Sequence, residues 1–328
     1  NLLSYLYGRW SFTEINSYNG TPYLKDFSSK KNYLRLIDIN EVVKSNPLPF
    51  FVINSTLDLP DLNPGNEVAD AGNGIVTLRS AIQEANALAN LQKIYFYKTG
   101  VSSFIIAPSS TLPTISGQVI LDGTLQRGYS GLPVVETQGP FGGLTITSGG
   151  STVKGLKINS SYGYGLTLSS SGNNIILTNQ ISGISIGSQG NKIDGNTITS
   201  SIGNGISISA GAINNLIGTT TANTITGNAG YGISVLDANG NQLSNNTIGN
   251  NGLGGIFISN SSGPVIGNNV AGNSGFGISI NGGTNNQILN NLVGTNNGDG
   301  LLLSKGTGTL SGNTITANTG FGIFVDSS

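Results

Sequence analysis

The chain of 328 residues carries 14 Lys and Arg against 15 Asp and Glu, a net charge of −1 that leaves no electrostatic footprint for nucleic acid or an anionic membrane. No apolar run approaches the ~20 residues of a transmembrane helix, and 50 glycines with only 9% charged residues are far from the make-up of an ordinary globular domain. With neither Cys nor Met, and beginning at Asn1, the sequence reads as a processed precursor suited to an oxidising exterior, so an extracellular or cell-surface location is expected.

Residues 1–48 differ from the rest in holding ten charged residues and an aromatic cluster that includes Tyr5, Tyr7, Trp10, Phe12, Tyr18 and Tyr23. Arg9–Ile15 and Tyr33–Ile39 alternate as strands, and Asn46-Pro-Leu-Pro49 marks a boundary. A segment this short builds a poor core alone, so it is expected to act as a β-rich extension that packs on the same chain or on a neighbour. Residues 49–93 form a second unit. Within it Ala81, Ile82, Ala85 and Leu88 recur at helical spacing with Thr77 as the N-cap, predicting one amphipathic helix that covers the first coil of whatever follows. Asp58, Asp61, Asn63, Glu67 and Asp70 are the densest run of oxygen ligands, and Asp61-x-Asn63-x-Gly65 is similar to the start of a calcium loop, although the closing bidentate Glu is missing. Calcium is the one cofactor these residues suggest, and an Asx-rich turn is the reading favoured over it.

The run Val76-Thr-Leu-Arg-Ser-Ala-Ile-Gln-Glu-Ala-Asn86, with Asp58-Leu-Pro-Asp-Leu-Asn-Pro-Gly65 before it and Thr111-Leu-Pro-Thr-Ile115, Ile120-Leu-Asp-Gly-Thr124 and Gly143-Leu-Thr-Ile146 after it, resembles the domain named for its Cys-Ser-Leu-Arg-Glu-Ala motif. That domain stands ahead of right-handed β-helix repeats in bacterial surface and secreted proteins. The resemblance covers roughly residues 50–328 and implies a right-handed solenoid outside the cell. It implies little about activity, since such β-helices serve as adhesins, sheaths and polysaccharide-modifying enzymes. Ala69 and Val76 stand where the resemblance places two cysteines, so the disulfide it implies is missing.

Residues 94–328 repeat. Irregular coils come first, through Ile94-Tyr-Phe-Tyr97, Phe104-Ile-Ile106 and Val119-Ile-Leu121, with a longer loop at 126–131. Then Ile158, Ile181, Ile198, Ile225, Ile248, Val270, Val293 and Ile315 follow one another at steps of 23, 17, 27, 23, 22, 23 and 22 residues. Such a period fits one coil of a parallel β-helix with three short strands and three turns, an all-β solenoid of about ten or eleven coils and on the order of 50 Å long. The 17- and 27-residue steps are a deletion and an insertion in turns, because an indel within a strand would invert every following side chain. Two columns accompany the repeat: Asn179, Asn196, Asn223, Asn246, Asn268, Asn291 and Asn313, and Gly165, Gly205, Gly232, Gly255, Gly277, Gly300 and Gly322. Both are read as structural, the asparagines as a stacked amide ladder and both columns as residues that tolerate positive φ at the bends.

Chemistry is scarce. From Ile158 onward there is no Arg, Glu, His or Cys, and the charges Lys192, Asp194, Asp237, Asp299, Lys305 and Asp326 do not stack in one column. Cleaving or epimerising acidic polysaccharides needs a base beside carboxylates, and only Asp122, Arg127, Glu136, Lys154 and Lys157 in the early coils offer one. Thr197-Ile-Thr199, Thr224-Ile-Thr226 and Thr314-Ile-Thr316 resemble the threonine arrays of ice-binding β-helices but are interrupted between them. Tyr164, Tyr231, Phe276 and Phe321 could stack on sugars or pack at a corner. The expectation is a non-enzymatic structural or adhesive surface protein that self-associates through its ends and N-terminal extension and contacts cell-surface glycans. The alternative is a secreted polysaccharide-binding or lyase- or epimerase-like protein.

Overall fold

The computed structural model describes residues 50–326 in full and, before them, the backbone of three strands. These strands, β1 (Phe12–Tyr18), β2 (Thr21–Asp26) and β3 (Tyr33–Arg35), form an antiparallel meander with Tyr18 opposite Thr21 and Tyr23 opposite Arg35. β2 is not anticipated above, although Asn19-Gly20 between two strand patterns is the sequence signal of a two-residue hairpin loop. The expected boundary at 46–49 lies outside the described residues.

The remainder is a solenoid of about ten coils wound into three parallel sheets of 11, 10 and 9 strands. The register residues of the sequence stack directly: Ile158 pairs with Ile181, Ile181 with Ile198, Ile198 with Ile225, and so on to Ile315 in the second sheet. Their side chains point inward and are buried as far as Val293; each contributes roughly 1.5–3 kcal/mol through removal of apolar surface from water. The matching inward columns are Ile176, Ile193, Ile217 and Leu243 in the first sheet and Ile184, Ile206, Ile233 and Ile256 in the third. Both indels fall in turns. The long step inserts residues after the strand Leu216–Ile217, and the short one leaves only Ser182 and Gly183 between the strands Gln180–Ile181 and Ile184–Ile186.

The asparagine column is a ladder. Asn246 is typical: its Nδ2 donates to Asn268 Oδ1 at 3.0 Å and to Ile217 O at 3.0 Å, while its Oδ1 accepts from Asn223 Nδ2 at 2.9 Å. Two further ladders were not foreseen, Asn228–Asn251–Asn273–Asn296–Asn318 and Asn174–Asn191–Asn215–Asn241, each linked by the same Nδ2 to Oδ1 bonds. Their signal is in the sequence as Asn-x4-Asn repeated coil after coil. The conformational reason given for the columns needs correcting. No ladder asparagine has positive φ; except before Asn223, the residue preceding it does, as at Asn245 (58°), Gly267 (65°), Asn290 (57°) and Gly312 (67°). Nor do the seven column glycines have positive φ. All but Gly322 are excluded from side chains by contact with the next coil: a Cβ on Gly232 would sit 2.4 Å from Ile248 Cγ2 and 2.8 Å from Gly255 O, while one on Gly322 would meet only Ile315 Cγ2 at 3.8 Å.

The helix α1 (Leu78–Ala87) starts at the Thr77 N-cap, whose hydroxyl accepts from Ser80 N while the Ser80 hydroxyl accepts from Thr77 N. Leu78, Ala81, Ile82 and Ala85 are buried over the first coil. Its polar residues are ties to loops. Arg79 pairs with Asp58 at 2.8 and 3.0 Å and donates to the carbonyls of Ser110 and Thr111; Gln83 Oε1 accepts from Asp61 N; Asn86 accepts from Ser116 N and Gly117 N. Ala69 is buried here and Val76 packs partly buried against the core, so apolar contact occupies both positions.

Burial raises the Asp58 carboxyl, but hydrogen bonds from Arg79 and Ser109 outweigh it and hold Asp58 below its ordinary 3.8. A carboxyl with a lowered folded pKa contributes stability that is complete well above pH 3.8 and disappears as pH falls from 3.8 through the lower folded value. Arg79→Ala is expected to cost about 2 kcal/mol near neutrality by removing charge-assisted bonds that tie the cap to residues 110–111. Urea titrations from pH 7 to 2 should show the gap between variant and parent narrowing in that acid window; a gap independent of pH would rule out the assignment.

Candidate functional site

The five acidic and amide residues of the early loop do not converge. Asp58 is occupied by Arg79 and Ser109; Asp61 Oδ1 accepts from Asn63 N; Asp70 Oδ1 accepts from Gly72 N and Gly74 N; the side chains of Asn63 and Glu67 are exposed. Among the described residues no three His, Cys, Asp or Glu side chains stand close enough together to hold a metal ion. What organises this loop is Glu84 of α1, fully buried, whose carboxylate accepts the backbone N–H groups of Gly65 and Glu67. Sequence reading gave Glu84 only a place in the helix, because its partners lie 17 and 19 residues away.

Of the five early-coil charges singled out in the sequence, four are gathered into pairs. In the first sheet Asp122 lies beside Lys154, with Lys154 Nζ 3.0 Å from Asp122 Oδ2 and Thr124 donating to Oδ1. In the second sheet Glu136 lies beside Lys157, with Lys157 Nζ at 3.1 Å and Asn159 Nδ2 at 2.8 Å from Glu136 Oε1. Lys154 and Lys157 flank Gly155 at the turn joining the two sheets, so the two ion pairs sit on either side of one corner. Arg127 is exposed in the loop above and joins neither pair. A third pair, Lys192 with Asp194 at 3.5 Å, is covered by the inserted turn, where Thr220 N donates weakly to Asp194 Oδ1 at 3.4 Å. Each of these three carboxylates is held by a lysine of its own chain, which leaves none poised beside a free base.

The aromatics divide into two kinds. Tyr231, Phe257 and Phe276 stack on one another with centroids 4.9–6.2 Å apart, Phe276 folding over Gly254, where a Cβ would meet its ring at 2.8 Å. Their faces are spent on each other, the corner packing weighed above. The earlier aromatics are more open. Tyr162 is 76% exposed and Phe141 36% exposed on turns that stack, with Ser161 N donating to Gly139 O. Tyr164 lies in the gap left by the 17-residue coil, its Cδ1 2.9 Å from where a Cβ on Gly183 would be and its hydroxyl reaching toward Gly203. The threonines form a short array, Thr197–Thr224–Thr247 beside Thr199–Thr226, that ends at Asn269 and Leu292.

Residues 182–328, somewhat under half of the chain, match the family described as "Right handed beta helix region". No curated protein matches this chain. Among solved structures it is similar to the periplasmic alginate epimerase AlgG, at 16% identity and a TM-score of 0.50 over 72% of this chain and 65% of that one. It is also similar to the A-module of the mannuronan C-5 epimerase AlgE6 of Azotobacter vinelandii, at 12% identity and a TM-score of 0.45 over 85% and 100% of the two chains. Tailspike protein 3 of bacteriophage CBA120 shares 11% identity at a TM-score of 0.30 over 96% and 74%. This chain therefore spans less than two thirds of the AlgG chain. At such identities the likeness to AlgG is one of fold.

Proposed function

We propose that this β-helix is a non-enzymatic extracellular protein of a microbial surface, structural or adhesive, that works by presenting a rigid surface to glycans and to copies of itself. The observation that carries this reading is the closure of the ion pairs: Asp122, Glu136 and Asp194 are each held by a lysine, and the regular coils beyond hold few charges on a frame of asparagine ladders. A turnover site needs a base free to take a proton from substrate, whereas a contact surface needs only rigidity and exposed groups. The test is incubation of the purified protein with a panel of neutral and acidic polysaccharides, alginate among them, followed by separate measurement of binding, unsaturated products and exchange at ring carbons. Binding without turnover is expected; product from any member overturns the reading.

One observation favours the alternative, a polysaccharide-modifying enzyme: Lys154 and Lys157 are partly exposed and lie beside two carboxylates within one corner. If that corner were catalytic, Lys157→Ala would abolish turnover in the same panel. Self-association is the second half of the proposal. α1 covers the first coil of the solenoid, and in the coil 308–326 Val325 lines a cavity of about 360 Å³ together with Ile280, Ile288 and Leu303. Electron microscopy over a concentration series, with and without calcium, should show end-to-end particles; separate rods at every concentration would remove this half.

A further inference from the structure

We infer that the gap left by the 17-residue coil, with Tyr162 and the Glu136–Lys157–Asn159 cluster at its rim, is a binding site for a neutral glycan. The inference rests on the adhesive reading and adds to it a location and a ligand class.

Shape comes first. The turn from the second sheet to the third occupies residues 159–165 in one coil and 200–205 two coils later, but only Ser182 and Gly183 in between. The surface therefore steps inward for the width of a single coil, about 5 Å. Gly183 has φ of 87° and no side chain; it is buried, and the side chains of Ser201 and Tyr164 close over it. Tyr164 spans it from Gly183 toward Gly203 and gives it an aromatic floor. Two residues earlier Tyr162 projects from the same turn at 76% exposure. A ring left so open on a rigid turn is a contact group: it offers a large amphipathic face at little cost in conformational entropy.

Chemistry comes second. Lys157 and Asn159 alternate on the strand leading into this turn and both reach Glu136. The cluster presents carboxylate acceptors together with ammonium and amide donors. A sugar hydroxyl donates and accepts at once, so it can enter such a network without leaving either partner unsatisfied. Charge then selects the class. Lys157 is neutralised by Glu136 and Lys154 by Asp122, at 3.1 and 3.0 Å. A uronate or sulfated sugar would have to displace Glu136 from Lys157 and would meet its like charge, whereas a neutral pyranose meets no such repulsion. The flat C–H faces of a neutral pyranose complement the rings of Tyr162 and Tyr164, and its hydroxyl edge complements the polar cluster.

The test is isothermal titration of the full chain with cellohexaose, mannohexaose and maltohexaose, and with an oligogalacturonate hexamer as the acidic probe. At least one neutral hexaose should bind saturably and the acidic probe should not. Tyr162→Ala should weaken that binding about tenfold or more, the size of a lost sugar–ring contact, while Tyr162→Phe retains most of it. Tyr162 is too exposed for its truncation to unfold the protein, and circular dichroism checks this. Binding unchanged in Tyr162→Ala, preference for the acidic probe, or no saturable binding of the three neutral hexaoses each overturns the assignment. Turnover in the polysaccharide panel would sink the non-enzymatic reading separately, and binding elsewhere on the rod would sink this site while leaving that reading intact.

Discussion

Asn246→Ala is expected to lower the free energy of unfolding by about 3 kcal/mol, since it leaves fully buried polar groups without partners. Asn246 is completely buried, and its amide joins three coils at once: it accepts from Asn223, donates to Asn268, and donates to the carbonyl of Ile217. Truncation leaves Ile217 O without this donor and takes one acceptor from Asn223 Nδ2. Asn246→Asp should be worse, because a carboxylate cannot donate to Ile217 O and brings a charge into the ladder. Asn269, exposed on the outer face of the next coil, is the control, and Asn269→Ala should cost less than about 0.5 kcal/mol. Coils interact mainly with their neighbours, so hydrogen exchange should show protection lost around residues 217–268 before the rest. Equal costs at Asn246 and Asn269 would mean the ladder contributes nothing.

Gly255→Ala is the second large effect, again about 3 kcal/mol, and it separates two explanations for the glycine column. A Cβ at Gly255 would lie 2.2 Å from Val270 Cγ1 and 2.5 Å from the carbonyl oxygen of Gly277. The valine could shift its rotamer; the carbonyl belongs to the next coil and can retreat only if the coils separate, the situation in which overpacking costs most. Gly211 is the comparison. Its φ is 81°, yet nothing lies within 4 Å of its missing Cβ, so Gly211→Ala should pay only for left-handed backbone, about 1 kcal/mol. Thermal and urea unfolding of the two variants decide the matter. A larger cost at Gly211 would restore backbone conformation as the reason for the column.

Much of the architecture was legible because a solenoid writes its geometry into the sequence at a fixed period. Ile158 through Ile315 could be aligned by eye, and the coordinates pair them as aligned. The second and third ladders were equally legible, as Asn228, Asn251 and Asn273 and as Asn174, Asn191 and Asn215, each five residues from a member of the first where no insertion intervenes. Glu84 was not legible at all. Its partners are backbone N–H groups of Gly65 and Glu67, which carry no residue-type signature.

The candidate site marks the same division. That Tyr162 and Tyr164 exist, that Glu136 and Lys157 are 21 residues apart, and that one coil is 17 residues long are all facts of sequence. The period fixed the fold by itself, because inward apolar residues at constant spacing can be buried only by stacking coil on coil. Whether Lys157 meets Glu136, whether Tyr164 lies in the shortened turn, and whether Asp58, Asp61 and Asp70 gather or scatter depended on rotamers and loop paths. Neighbouring coils and α1 impose those choices, and the tertiary structure alone decided them.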